Sequence, residues 1–142
     1  MLRLILFVLL SIVYAREDTG FGQFQIFGIG DNSMISQLGV LQNACVAAKK
    51  GAVFNYLAEG VVTLFRTGDC LAIDEEGFLV MSENHQPGFL VSDERGPGDQ
   101  RFLTYHKEKM FKICPNQRIG FDVNCENGKK VFILYSDFNE YR

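Results

Sequence analysis

Residues 68–81 read Gly68-Asp69-Cys70-Leu71-Ala72-Ile73-Asp74-Glu75-Glu76-Gly77-Phe78-Leu79-Val80-Met81. An apolar run, Cys70–Ile73, meets an acidic corner, Asp74-Glu75-Glu76-Gly77, and a second apolar run, Phe78–Met81, follows at once. Asp suits the first corner position because its carboxylate accepts a hydrogen bond from the backbone N–H two residues on. Gly at the fourth position reaches the left-handed conformation without the Cβ clash other residues meet there. The stretch predicts a β-hairpin. The same device, an acidic or amide corner with Gly between apolar runs, recurs around Gly60, Gly96 and Gly128. Short strands with turn signals roughly every ten residues predict an all-β fold. The expected architecture is a compact antiparallel barrel or sandwich of Gly-turned hairpins, stapled by disulfides; a β-trefoil-like arrangement is among those it accommodates.

Outward from that hairpin, Phe21–Ile29 alternates, with Phe24, Ile26 and Gly28 on one face and Gln23, Gln25 and Phe27 on the other, as a strand requires. Gly30-Asp31-Asn32-Ser33 breaks it. Residues 34–48 are ambiguous. Ile35, Leu38 and Leu41 fall at helical spacing, but Gly39, Val40, Cys45 and Val46 favour two short strands around Gln42-Asn43-Ala44. Further strands are expected at Val53–Leu57, Val61–Phe65, Phe89–Val91, Arg101–Tyr105, Met110–Cys114, Gly120–Asn124 and Val131–Tyr135, the last two joined by a tight turn at Glu126-Asn127-Gly128. Thirteen Phe and no Trp point to a core packed with phenyl rings.

The start of the chain reads as a secretory leader. Arg3 precedes an apolar run, Leu4–Val13, and Val13-Tyr14-Ala15 places small or short residues where a signal peptidase cuts. The run is about half the ~20 residues needed to cross a bilayer. The organisation expected is a leader at 1–15, a flexible segment at 16–20, one β domain at 21–135 and a tail at 136–142, with no membrane association once the leader is removed. Net charge is −3 over 142 residues, with no basic run, which argues against a nucleic-acid partner.

Four cysteines, Cys45, Cys70, Cys114 and Cys125, behind a leader predict two disulfides. Closeness in sequence favours Cys45–Cys70 and Cys114–Cys125 among the three connectivities. No Cys-x-x-Cys occurs, and His85 and His106 are isolated, so neither a metal site nor a cofactor is expected. Asp69, Asp74, Glu75, Glu76, Asp93 and Glu94 supply the carboxylates a glycosidase needs in a facing pair, but all sit in or beside hairpin corners, where acids belong on solvent grounds. No Gly-x-Ser-x-Gly elbow and no third glycine after Gly28-Ile29-Gly30 support a nucleophile or a phosphate loop. No catalytic residue is assigned. For sugar contact the candidates are Tyr105 with His106, and Phe89 beside the loop Asn84–Gln86. No Asn-x-Ser or Asn-x-Thr occurs; Asn43-Ala44-Cys45 is the rare cysteine variant of the N-glycosylation signal.

With these units laid out, the chain resembles the β-rich domain of fungal cell-wall mannoproteins. Phe24-Gln25-Ile26-Phe27 with Gly30-Asp31-Asn32-Ser33 is similar to that family's opening strand and break, and Phe54-Asn55-Tyr56-Leu57 with Gly60 and Leu64 to its second unit. Leu71–Leu79 resembles its central hairpin, and Gly88–Asp93 with Phe102–Tyr105 a Gly-Phe-Ser-Ile-like unit. Phe111-Lys112-Ile113-Cys114 and Ile119-Gly120 before Cys125 are similar to the last third of the PIR wall-protein domain. The resemblance spans most of 21–135. It implies a secreted, non-enzymatic structural or glycan-associated wall component whose partner is cell-wall glucan or another glycan. The Ser/Thr-rich stalk and Gln-containing repeats of that family do not occur in this sequence, so a freely secreted or non-covalently retained form is expected. A soluble carbohydrate-binding protein or effector is the second expectation and a small glycan hydrolase the third.

Overall fold

The structure, a computed structural model, describes residues 20–30, 32–57 and 60–138. The leader at 1–15, all but the end of the 16–20 segment, Asp31, the corner at 58–59 and the tail from 139 lie outside the described residues.

The described chain is all-β. Its strands are β1 (Gly20–Gly28), β2 (Met34–Leu41), β3 (Ala44–Ala48), β4 (Phe54–Tyr56), β5 (Val62–Leu64), β6 (Cys70–Ile73), β7 (Leu79–Ser82), β8 (Phe89–Arg95), β9 (Arg101–Tyr105), β10 (Met110–Ile113), β11 (Ile119–Gly120) and β12 (Lys129–Asp137). Every pairing is antiparallel. Seven strands close a barrel in the order β1-β2-β3-β7-β6-β5-β4, with β4 returning to β1. β1 takes part twice over. One edge pairs with β12 from Gly22↔Asp137 to Gly28↔Val131; the other is shared by β4, at Gly20–Gly22, and β2, at Gln25–Phe27. β12 also pairs with β9 and β10, and β9 with β8.

Three hairpins, β2–β3, β6–β7 and β10–β11, meet at one end, through Ala44↔Val80, Val46↔Arg118 and Phe78↔Gly120. The arrangement is β-trefoil-like. It also repeats in the backbone hydrogen bonds that follow β1, β5 and β9: Gly28 N donates to Ser33 O (3.0 Å), Leu64 N to Asp69 O (2.8 Å) and Tyr105 N to Glu108 O (2.9 Å). Inside lie Phe24, Phe54, Phe111, Ile26, Leu38, Leu79, Leu103 and Ile133, all fully buried. Rings stack through this core edge-on or tilted: Phe24 on Phe54 at 5.1 Å and on Tyr135 at 5.4 Å, Tyr105 on Phe121 at 4.9 Å. Such contacts add to the ~1.5–3 kcal/mol from burying each large side chain.

The expected β1 alternation is present, with Phe24, Ile26 and Gly28 buried and Gln23, Gln25 and Phe27 half-buried. Residues 34–48 form two strands joined by a two-residue turn, Gln42-Asn43, with φ of 51° and 68°. The central hairpin is as expected. Asp74 Oδ1 accepts from Glu76 N and Phe78 N, both at 2.9 Å, and Gly77 has φ 97°.

One five-residue turn, in which the first N–H bonds the fifth carbonyl and the fourth N–H the first carbonyl, occurs at 57–61, 74–78, 96–100 and 114–118. The fourth residue is left-handed each time: Gly60, Gly77, Asp99 and Gln117. Gly96 therefore opens its turn and does not occupy the left-handed position. At 126–128 the left-handed residue is Asn127, and the segment joins no hairpin. β11 ends at Gly120 and pairs with β10, while residues 121–128 cross to β12 without strand structure, so the expected Gly120–Asn124 strand is absent. The tail was expected to begin at 136, yet Ser136 and Asp137 pair with Gln23 and Gly22, and Ser136 is buried.

A Cβ on Gly77 would lie 2.9 Å from Phe121 O. Gly77→Val, combining that overlap with a left-handed φ, is expected to cost about 2 kcal/mol or more, seen as a lower urea midpoint and reduced secreted yield. Gln117→Gly, at the matching position of another turn, is expected to change stability by less than about 1 kcal/mol.

Candidate functional site

The repeat places comparable grooves between neighbouring units, and side chains decide which remain open. Phe65 N donates to Val53 O (2.9 Å), and His106 N donates to Gly88 O (2.9 Å), so Phe65 and Val53 occupy the same places in one groove as His106 and Gly88 in the next.

The groove at His106 is filled. Gln86 Oε1 accepts from Ile73 N (2.7 Å) and Gln86 Nε2 donates to Tyr105 OH (2.8 Å). The rings of Tyr105 and His106 lie 4.1 Å apart, those of Phe89 and Tyr105 4.7 Å. The sugar-contact residues expected from sequence, Tyr105, His106, Phe89 and Gln86, are thus brought together, but they pack on one another. Phe89 is buried and Tyr105 half-buried. A Cβ on Gly88 would already stand 2.9 Å from the rings of Tyr105 and His106.

The groove at Phe65 is open. The position two residues before the shared backbone bond is Gln86 in the filled groove and Gly51 here; Gly51 N donates to Gln37 Oε1 (2.9 Å), and a Cβ on Gly51 would meet that side chain. The cleft has a volume of about 590 Å³. Val40, Ala52, Val53 and Leu64 form its apolar wall, and Gln42, Asn43, Phe65, Arg66 and Thr67 its rim. Phe65 is 61% exposed, and its ring is 6.1 Å from Phe21, which in turn lies 5.9 Å from Phe138. An apolar wall with amide, hydroxyl and guanidinium donors along one side is the usual chemistry of a small-ligand cleft. The cleft is not expected from sequence: Phe65 reads there as the last residue of the strand Val61–Phe65, whereas β5 ends at Leu64 and Phe65 lies in the following turn, exposed.

Of the six candidate carboxylates, Asp74, Asp93 and Glu94 have side-chain partners. Asp74 holds its own turn, and its Oδ2 pairs with Arg118 Nη2 at 3.4 Å, while the Arg118 guanidinium stacks 4.1 Å over Phe78. Asp93 pairs with Arg101 (3.5 Å) and Glu94 with Lys109 (2.7 Å). None of these acids lines the open cleft. Among the described residues no group of three or more His, Cys, Asp or Glu is placed to hold a metal ion.

The disulfide expectation is half met. Cys114 and Cys125 are bonded, but Cys45 and Cys70 are free thiols, which corrects the expected second bridge. Strand order explains it. Cys70 in β6 pairs with Ser82 of β7, while Cys45 lies on the far side of β7, in β3, beside the Ala44 that pairs with Val80. Two strand spacings are about 9–10 Å, whereas a disulfide needs Cα atoms within roughly 7 Å. Cys45 is fully buried, its Sγ 3.9 Å from Met81 Sδ. Burial pushes its thiol up to about 12, against a smaller opposing influence from Arg118.

No family model, no curated protein and no solved structure matches the chain.

Because Cys45 stays protonated well past the range where ordinary thiols ionise, it is a poor nucleophile in the folded state. A disulfide-exchange reagent at mildly alkaline pH is expected to modify Cys70 alone in native protein and both thiols after unfolding. Peptide mapping should recover Cys114 joined to Cys125.

Proposed function

We propose that this protein is a secreted, non-enzymatic, glycan-associated domain of a fungal cell wall or surface. The observation that carries the reading is the open cleft beside Phe65, where an exposed ring and an apolar wall face a rim of Gln42, Asn43, Arg66 and Thr67. A sugar ring offers an apolar face to an aromatic side chain and hydroxyls to amides and guanidinium. The resemblance to wall mannoproteins supplies the setting. A disulfide, and no helix long and apolar enough to cross a membrane among the described residues, are compatible with a secreted protein. A binding role is favoured over hydrolysis because glycosidases work through two facing carboxylates, and the cleft is lined by none.

Non-glycosylated mature protein is expected to co-sediment with wall glucan or chitin. Phe65→Ala should weaken retention roughly three- to tenfold, the equivalent of the ~0.5–1.5 kcal/mol of one ring contact. His106→Ala, in the filled groove, should leave it unchanged. Retention on no polysaccharide, or equal retention by both variants and the parent, would reject the reading.

A further inference from the structure

The chain holds one place where the chemistry of N-glycosylation is met. Asn43-Ala44-Cys45 puts an asparagine two residues before a cysteine, with no proline between, and no Asn-x-Ser or Asn-x-Thr occurs anywhere. The fold presents that asparagine well. Asn43 is the second residue of the two-residue turn at the tip of β2–β3, is exposed, and has φ 68°. Its backbone carbonyl accepts from Met81 N at 2.8 Å. Its carboxamide makes no hydrogen bond within the described residues, so substitution at Nδ2 breaks nothing. The cysteine is equally suited. The transfer enzyme reads a hydroxyl, or less efficiently a thiol, at the second position after the asparagine, and a cysteine committed to a disulfide is lost to it. Cys45 is a free thiol in this fold, on a strand that keeps it two strands from Cys70.

We propose that Asn43 is an N-glycosylation site read through the Cys45 thiol, and that its glycan stands on the rim of the open cleft. The inference rests on the secreted reading above, since the modification requires entry to the secretory route. The donor is a lipid-pyrophosphate-linked oligosaccharide. Asn43 Nδ2 forms a bond to C1 of the first sugar, the C1–O bond to the pyrophosphate breaks, the amide proton passes to a base of the transferase, and the lipid pyrophosphate leaves. Asn43 also lines the cleft with Gln42 and Phe65, so an attached glycan competes with an external ligand for the same opening. Occupancy at Asn43 then sets how much of the secreted protein has a free cleft.

The test is secretion from a eukaryotic host, once from the chain's own leader and once from a heterologous leader. Intact mass is read before and after peptide-N-glycosidase treatment. Expected are a glycosylated fraction, conversion of Asn43 to Asp on enzymatic removal, and its complete loss in Asn43→Gln. Cys45→Ser, which restores an Asn-x-Ser signal, should raise the occupied fraction. Glycan removal should increase retention on the wall polysaccharide. Secreted parent protein wholly free of glycan overturns the inference, whether or not Cys45→Ser is modified. Glycosylation unchanged in Asn43→Gln overturns it too. Glycosylation from the heterologous leader with no secretion from the native one would reject the secreted reading alone and leave the chemistry at Asn43 standing.

Discussion

The constraint on which the structure depends is the pairing of its first described strand with its last. β1 meets β12 over Gly22–Gly28, and on its other edge it carries both β4 and β2. β12 lies outside the seven-strand ring but joins the rest of the sheet to it, because it also supplies the edges on which β9 and β10 pair. The contacts that matter most thus join residues more than a hundred positions apart, such as Phe24 with Tyr135. Loop-closure entropy opposes them until burial of the shared core repays it. The single disulfide, Cys114–Cys125, spans only 11 residues and does little for that closure.

Much of this was legible because turn chemistry is local. Asp74 and Gly77 announce their hairpin through an Asx hydrogen bond and a left-handed φ, and alternation in β1 announces its buried face. Where reading failed, the cause was non-local. The turn at 114–118 has the backbone geometry of that at 74–78 but carries Gln117 at the left-handed position, so glycine counting passes over it. Asn127-Gly128 carries a strong hairpin signal, yet β12 finds β1, β9 and β10 as partners and β11 finds β10. Cys45 and Cys70 are near in sequence but separated by β7, a fact only strand order supplies.

The candidate site shows the same division. The sequence offered two separate sugar contacts, Tyr105 with His106, and Phe89 beside the loop Asn84–Gln86. They do converge, and by doing so they close their groove. The equivalent groove, with Gly51 where Gln86 stands, remains open beside an exposed Phe65. The two grooves differ at several matched positions, with Leu64, Phe65 and Gly51 in the open one where Tyr105, His106 and Gln86 stand in the sealed one. Nothing in the composition of Leu64-Phe65-Arg66-Thr67 marks that difference; it appears only when the units are superposed through their shared hydrogen bonds.

If the proposed function holds, a glycan enters the groove beside Phe65 and not its sealed repeat at His106. An amide chemical-shift titration of the non-glycosylated protein with a soluble glucan or chitin oligosaccharide tests it most directly. Saturable shifts are expected at Gln42, Asn43, Val53 and Leu64–Thr67, with Tyr105 and His106 unmoved. Shifts centred on Tyr105 and His106, or none at either groove with any oligosaccharide that the intact protein retains, would contradict it.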